Sequence, residues 1–268
     1  MNKLFFDHEP RDWKELEELV LQAFDEMGYQ SSRNYPLTTV RGIARIDVHA
    51  IRTSSPIPTI VLCECKYWDK PVDQNAILSF RTICQDAGAH YGLIISRRGF
   101  QPGAESSRTL TNVHLMNFMQ FQDTFFSEWR TGAFMMLSRM RDQLLPLQRA
   151  EAGLQEYGLD LVDQSAIEGI DCLKKFGILL GWDGRYSAYF IEGNEFPAKV
   201  VDPRGDPRKI CHITVNSHRE YLEIARQAVL ENIARFRLPP IFFSLDGKLE
   251  TSDKIQSNLQ HYSVTLPK

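Results

Sequence analysis

The chain has 268 residues, 43% of them hydrophobic and 24% charged, with 31 Lys and Arg against 34 Asp and Glu for a formal net charge of −3. That is enough apolar material for a sizeable core and for two domains, and it excludes wholesale disorder. The mild acidity excludes binding nucleic acid through a global positive field. Any such contact must come from a local basic cleft or from metal ions offsetting carboxylates.

The N-terminal run MNKLFFDHEP turns acidic at once and lacks the apolar stretch of a signal peptide. The apolar runs FMML and FGILLGW are too short to span a bilayer. No membrane association and a cytoplasmic location are therefore expected by default. The cysteines at 63, 65, 84, 172 and 211 are odd in number, and Cys63-x-Cys65 has no second pair at zinc-knuckle spacing. Buried, reduced thiols are expected.

Residues 12–28 read as an amphipathic helix closed by Gly28, with Trp13, Leu16, Val20, Ala23, Phe24 and Met27 on one face. Glu17 falls at the edge of that apolar arc, while Glu15 and Glu18 point away. Strands are expected near 33–38, 43–52 and 57–67, with TSSPIP as the loop between the last two. A helix over 72–87, a buried strand at 90–96, a helix opening at Pro102 and a strand at 112–117 follow. The order α-β-β-β-α-β-α-β implies a mixed sheet with helices on its faces.

From about 119 to 149 the pattern is strongly helical, and it reads as a bridge to a second region. That region is expected to hold a helix near 164–180, strands near 186–191, 197–201 and 210–215, an exposed loop at DPRGDPRK (202–209), and a helix over 218–237. The last helix opens with Ser217 and Glu220 as a capping box and stops at Pro239-Pro240. The resulting division is 1–118, a bridge at 119–150, and 151–268.

Asp47 lies on the second strand, and Glu64 and Lys66 lie on the third, inside otherwise apolar runs. Alternation puts Glu64 and Lys66 on one face and Cys63 and Cys65 on the other. If the hairpin is symmetric about the Ser55–Pro56 bond, residues whose numbers sum to 111 face each other, and Asp47 and Glu64 form such a pair. Their Cβ atoms would then stand about 5 Å apart. Two carboxylates that close call for a cation. A divalent ion there, Mg²⁺ above all, takes oxygen ligands and polarises a phosphate. Lys66 is placed to orient water or stabilise charge, and Glu17 is placed to complete the site.

The runs ELEELVLQAFDEMGY, GIARIDVHA, VLCECKYW and GAHYGLIISRRGFQPGAESSR resemble the PD-(D/E)XK nuclease superfamily and, within it, the Mrr-like restriction endonucleases, over about residues 10 to 110. The resemblance implies a restriction-endonuclease-like α/β fold that hydrolyses DNA with Mg²⁺, for which Mn²⁺ can substitute. It implies metal ligation by Glu17, Asp47, Glu64 and the backbone carbonyl of Cys65. Asp47, Glu64 and Lys66 are implied as catalytic, and Gln74 as a polar position near the site. Many Mrr-like members carry Gln where this chain has Glu64, the more usual superfamily residue. A restriction or anti-phage role follows from the likeness, and cutting both strands of a duplex implies a homodimer or larger assembly.

Other readings stand beside these. Asp47, Glu64 and Lys66 taken alone also fit an inter-strand ion pair on a solvated sheet face, although the apolar run Ile60–Cys65 suits a strand buried on both faces. Glu17 either snorkels to water or turns in as a ligand, and His49 reads as a structural histidine before a ligand. Arg41, Arg45, Lys70, Arg97 and Arg98 flank the site strands as candidate DNA contacts, and each also reads as an ordinary surface charge. The stripe of Phe121, Phe125, Trp129, Phe134 and Met135 reads as core or dimer interface before a base-stacking platform. The rival function is a catalytically silent scaffold of the same fold that binds nucleic acid or a protein partner.

Overall fold

The computed structural model describes residues 4–53, 56–105, 111–142, 196–204 and 208–235, with isolated positions at 168, 171, 175, 206, 254 and 257. The chain divides into two compact units, Met1–Gly132 and Ala133–Lys268.

The first unit runs α1 (Trp13–Glu26), β1 (Gln30–Thr39), β2 (Gly42–Arg52), β3 (Thr59–Lys66), α2 (Gln74–Asp86), β4 (Tyr91–Ser96), α3 (Pro102–Glu105), β5 (Val113–Met116) and then α4 (Phe118–Asp142), which continues into the second unit. The expected order of elements is present. Asp12 caps α1 by accepting the Glu15 N–H at 2.9 Å, and Asp73 does the same for α2 through the Ala76 N–H at 2.9 Å. Both helices end on a left-handed glycine, Gly28 at φ +86° and Gly88 at φ +62°. Each end is closed by a six-to-one bond, Tyr29 N–H to the Phe24 carbonyl and Ala89 N–H to the Cys84 carbonyl, both at 2.9 Å. These caps turn the chain sharply from helix to strand.

The sheet order is β1-β2-β3-β4-β5, antiparallel from β1 to β3 and parallel from β3 to β5. The parallel pairs require helical crossovers, supplied by α2 and α3. Val61, Leu62, Cys63 and Cys65 are buried on both sides of β3, as expected for an inner strand with helices above and below. On one face α2 seats Ile77, Phe80 and Cys84 against Leu62, Ile94 and Val113. The other face meets α1, and beyond it α4 adds an aromatic layer. There Phe5 stacks on Trp129 with ring centres 5.0 Å apart and meets Phe121 edge-on at 5.9 Å. Phe121 and Trp129 are thus core; the Phe134 side chain lies outside the described residues.

In the second unit β6 (Ala198–Val201) and β7 (His212–Val215) pair antiparallel, and α5 spans His218–Arg235. Ser217 Oγ accepts the Glu220 N–H at 3.0 Å, and the Glu220 carboxylate reaches back to the Asn216 N–H at 2.8 Å. In the β6–β7 connection, buried Lys175 donates to the carbonyls of Arg204 and Asp206 at 3.1 and 2.9 Å. Glu168, Asp171 and Lys175 are helical, in line with the helix expected near 164–180. The strand expected near 186–191 and the stop at Pro239-Pro240 lie outside the described residues.

Candidate active site

The β2–β3 hairpin has the register that symmetry about Ser55–Pro56 requires. Pairing runs from Arg52↔Thr59 to Val48↔Cys63, and every pair sums to 111. The next row is Asp47 and Glu64. There Asp47 takes up a backbone donor with its side chain, the Cys65 N–H lying 2.8 Å from its Oδ2.

That row is irregular on its other side as well. β1 and β2 pair at Arg33↔Val48 and again at Tyr35↔Ile46, leaving Asn34 opposite Asp47 with φ at +52°. Non-glycine residues rarely adopt this conformation, and Asn tolerates it best. Strict alternation would send Ile46 to the α1 side with Val48. Instead Ile46 belongs to the α2-side core with Leu62, and Leu37 and Ala44 pack against that core. Tyr35 stacks on His49 with ring centres 4.2 Å apart and planes 16° apart, a contact that alternation would also forbid. The two faces of the β1–β2 ribbon therefore exchange at the Asn34–Asp47 row.

Glu17 comes in from α1, 5% exposed, with its Oε2 lacking a hydrogen-bond partner among the described residues. The Arg33 guanidinium lies 3.7 Å from that oxygen and bonds Glu18 at 2.9 Å. Burial, then the charge of Asp47, push the Glu17 carboxyl up; Arg33 opposes this and Glu64 adds to it. Burial likewise raises Asp47, against the Cys65 N–H and Lys66, which pull it down. Glu64 is raised by burial and by Asp47, and lowered by Lys66, whose ammonium is bonded to its carboxylate. Three acids and one lysine from three elements thus share one field.

Among the described residues, no group of three or more His, Cys, Asp or Glu side chains is gathered closely enough to hold a metal ion as placed. The donor set nevertheless fits a hard divalent cation. It offers carboxylate oxygens whose shared repulsion such a charge relieves, one of them buried without a bond. Cys63 and Cys65 are buried, with thiols held far above their ordinary range by burial. His49 is lowered by burial and stacked on Tyr35, which accounts for it structurally.

The remaining expected residues are spread around this row. Gln74 is exposed at the first turn of α2. Arg97 lies over the Tyr67 ring at 4.6 Å and bonds Asp69 at 2.8 Å. Lys70 and Arg98 are exposed beyond β3 and β4, and Arg45 is exposed on β2. Arg41 pairs with Asp86 at 3.2 Å. Two neighbours of the site were missed in the sequence. Arg33 could have been found from its pairing with Val48, which turns it toward α1. Trp68, 38% exposed with the Lys66 and Lys70 ammonium groups 5.1 and 5.8 Å from its ring centre, left no comparable signal.

None of the described helices is long and apolar enough to cross a membrane. A restriction endonuclease family model, Mrr_cat, matches residues 10–125. No curated protein matches the chain. Among solved structures it is similar to a protein of unknown function, AF1548, at 17% identity and TM-score 0.35, over 62% of this chain and 97% of that one. It is similar to the MspJI restriction endonuclease in complex with a 27-mer oligonucleotide at 17% identity and TM-score 0.28, over 41% and 27% of the two chains. The DNA modification-dependent restriction endonuclease AspBHI is similar at 14% and 0.28, over 47% and 37%. The mixed five-stranded sheet and the acid-x-lysine on its middle strand agree with the family match: residues 10–125 are a restriction endonuclease domain of the Mrr_cat family.

Proposed function

We propose that this domain is a divalent-metal-dependent endonuclease acting on DNA, in a restriction or anti-phage role, with Mg²⁺ as its ion and Mn²⁺ able to substitute. The observation that carries this reading is the electrostatic coupling of Glu17 to Asp47 and Glu64, each raised by burial, with Lys66 beside the latter two, in a restriction endonuclease domain. Glu17, Asp47, Glu64 and the Cys65 carbonyl would hold the ion, which when bound polarises a phosphate oxygen and makes water more acidic.

The chain's own residues supply position and charge. The Cys65 N–H fixes one oxygen of Asp47. Arg33 steadies Glu17 from the β1 side. Lys66, bonded to Glu64 here, is the group within the site able to turn its ammonium toward a phosphate and offset charge developing there. Cutting both strands needs two such sites, and a homodimer or larger assembly would bring them together.

A second reading, the silent scaffold, has two observations in its favour: Lys66 is already paired with Glu64, and no ready metal cluster exists among the described residues. Plasmid cleavage by the full chain in Mg²⁺, Mn²⁺ and EDTA separates the two. Metal-dependent nicking or linearisation that falls at least about 100-fold in Lys66→Ala is the expected outcome. No cleavage, together with no Mn²⁺-dependent thermal shift, would establish the scaffold.

A further inference from the structure

Beyond the Asn34–Asp47 row, β1 and β2 continue as a two-stranded ribbon with no third strand among the described residues, because β3 pairs with β2 only up to Val48. One side of this ribbon carries Leu37, Ala44 and Ile46 against the α2-side core. The other side, on which Pro36 pairs with Arg45 and Thr38 with Ile43, is exposed throughout. Ile43 is 73% exposed and Val40, at the turn, 84%. Arg41 ties that turn to Asp86 at the end of α2, so the ribbon is braced.

Charge sets the ribbon apart from the rest of the chain. From Tyr35 to Ile46 there are two arginines, Arg41 and Arg45, and no Asp or Glu, in a protein whose formal net charge is −3. The bare face offers a guanidinium, a threonine and a branched aliphatic side chain, starting at Arg45, two residues from the candidate catalytic carboxylate Asp47. Arginine pairs with guanine O6 and N7, and threonine and aliphatic groups meet the thymine methyl. The major groove of B-form DNA, about 12 Å wide, admits a two-stranded ribbon. The deep, narrow groove of duplex RNA does not.

The geometry points to the ribbon Tyr35–Ile46 as a reading arm that lies in the major groove of B-form DNA through Thr38, Ile43 and Arg45, and so sets where the adjacent carboxylates meet the backbone. This rests on the nuclease reading above and adds its substrate form. Its test uses the full chain, with fluorescence anisotropy on a DNA duplex of about three helical turns, the same sequence as duplex RNA, and one DNA strand, all in Ca²⁺. Arg45→Ala and Ile43→Glu lie on exposed positions, so thermal melting should be unchanged. Each is expected to weaken DNA duplex binding about tenfold, and Arg45→Ala to lower the salt slope by about one if it also meets a phosphate, with RNA duplex and single strand unaffected.

Unchanged DNA affinity in both variants overturns the arm, as does equal loss on RNA or single strand. A variant that turns an oligomer into a monomer by light scattering also overturns it, since the ribbon would then be a contact between copies. Plasmid cleavage by the same proteins separates the two readings. Wild type that cleaves while both variants bind normally removes the arm alone. Wild type that neither binds nor cleaves removes both.

Discussion

The Cys65 N–H donates to Oδ2 of Asp47 across 2.8 Å, where main-chain pairing between β2 and β3 has just ended at Val48↔Cys63. A carboxylate thus closes a ladder position. The bond favours the charged form of Asp47 against burial. It also ties the placement of Asp47 to the backbone beside Glu64.

The first prediction concerns pH. Glu17, Asp47 and Glu64 are each raised from their ordinary values when folded, above all by burial. A raised folded value favours the native state below the unfolded value, and that contribution is lost as pH rises through the folded one. In EDTA, Glu17→Gln should therefore gain on wild type as pH climbs from about 4.5 to 7.5, reaching about 1 kcal/mol. Thermal melts across that range check it; a gap that narrows with rising pH would refute it.

A second prediction follows from the aromatic layer. Trp129 Nε1 donates to buried Glu26 at 2.6 Å. Trp129→Phe keeps an aromatic ring against Phe5 and removes that donor, so it should cost about 2 kcal/mol in urea unfolding. Loss of less than about half that would mean that Glu26 finds another partner at no penalty.

Two glycines mark close approaches of different kinds. A Cβ at Gly132 on α4 would sit 2.3 Å from the Glu26 carbonyl oxygen and 2.6 Å from Met27 Cα. These are backbone atoms that cannot step aside, so Gly132→Ala should cost 3 kcal/mol or more, at about the upper end for overpacking. A Cβ at Gly92 meets side chains instead, with Cys84 Sγ nearest at 2.6 Å. Gly92→Ala should cost about 1–3 kcal/mol, and Cys84→Ala in the same chain should recover part of that. Equal costs at both positions would contradict the distinction.

Much of the frame was legible because each signal was local. Gly28 closed the first helix in the sequence, and Asp12, Asp73 and Gly88 are the further caps that the structure adds. The loop between β2 and β3 fixed their register, since alternation admits no one-residue slip without inverting a buried face. Glu17 could be aimed inward from its place on the helical wheel. The exchange of faces at Asp47 was not legible. It depends on Asn34 entering the left-handed region, which Asn permits but does not require, and on a bond from a residue eighteen positions away. Trp68 was equally silent, because its position over two lysines is set by where β3 ends.

The exchange at Asn34 and Asp47 separates two lengths that a continuous ribbon would keep linked. Side chains on the β3 side of that row take their facing from β3, and those beyond it take theirs from the turn at Val40 and Arg41. Adding two residues to each strand at that turn would extend the ribbon by about 7 Å and preserve its outward face, with the acids left in place. Reach and chemistry can then vary independently through descent, as a tool's handle can be lengthened without regrinding the blade.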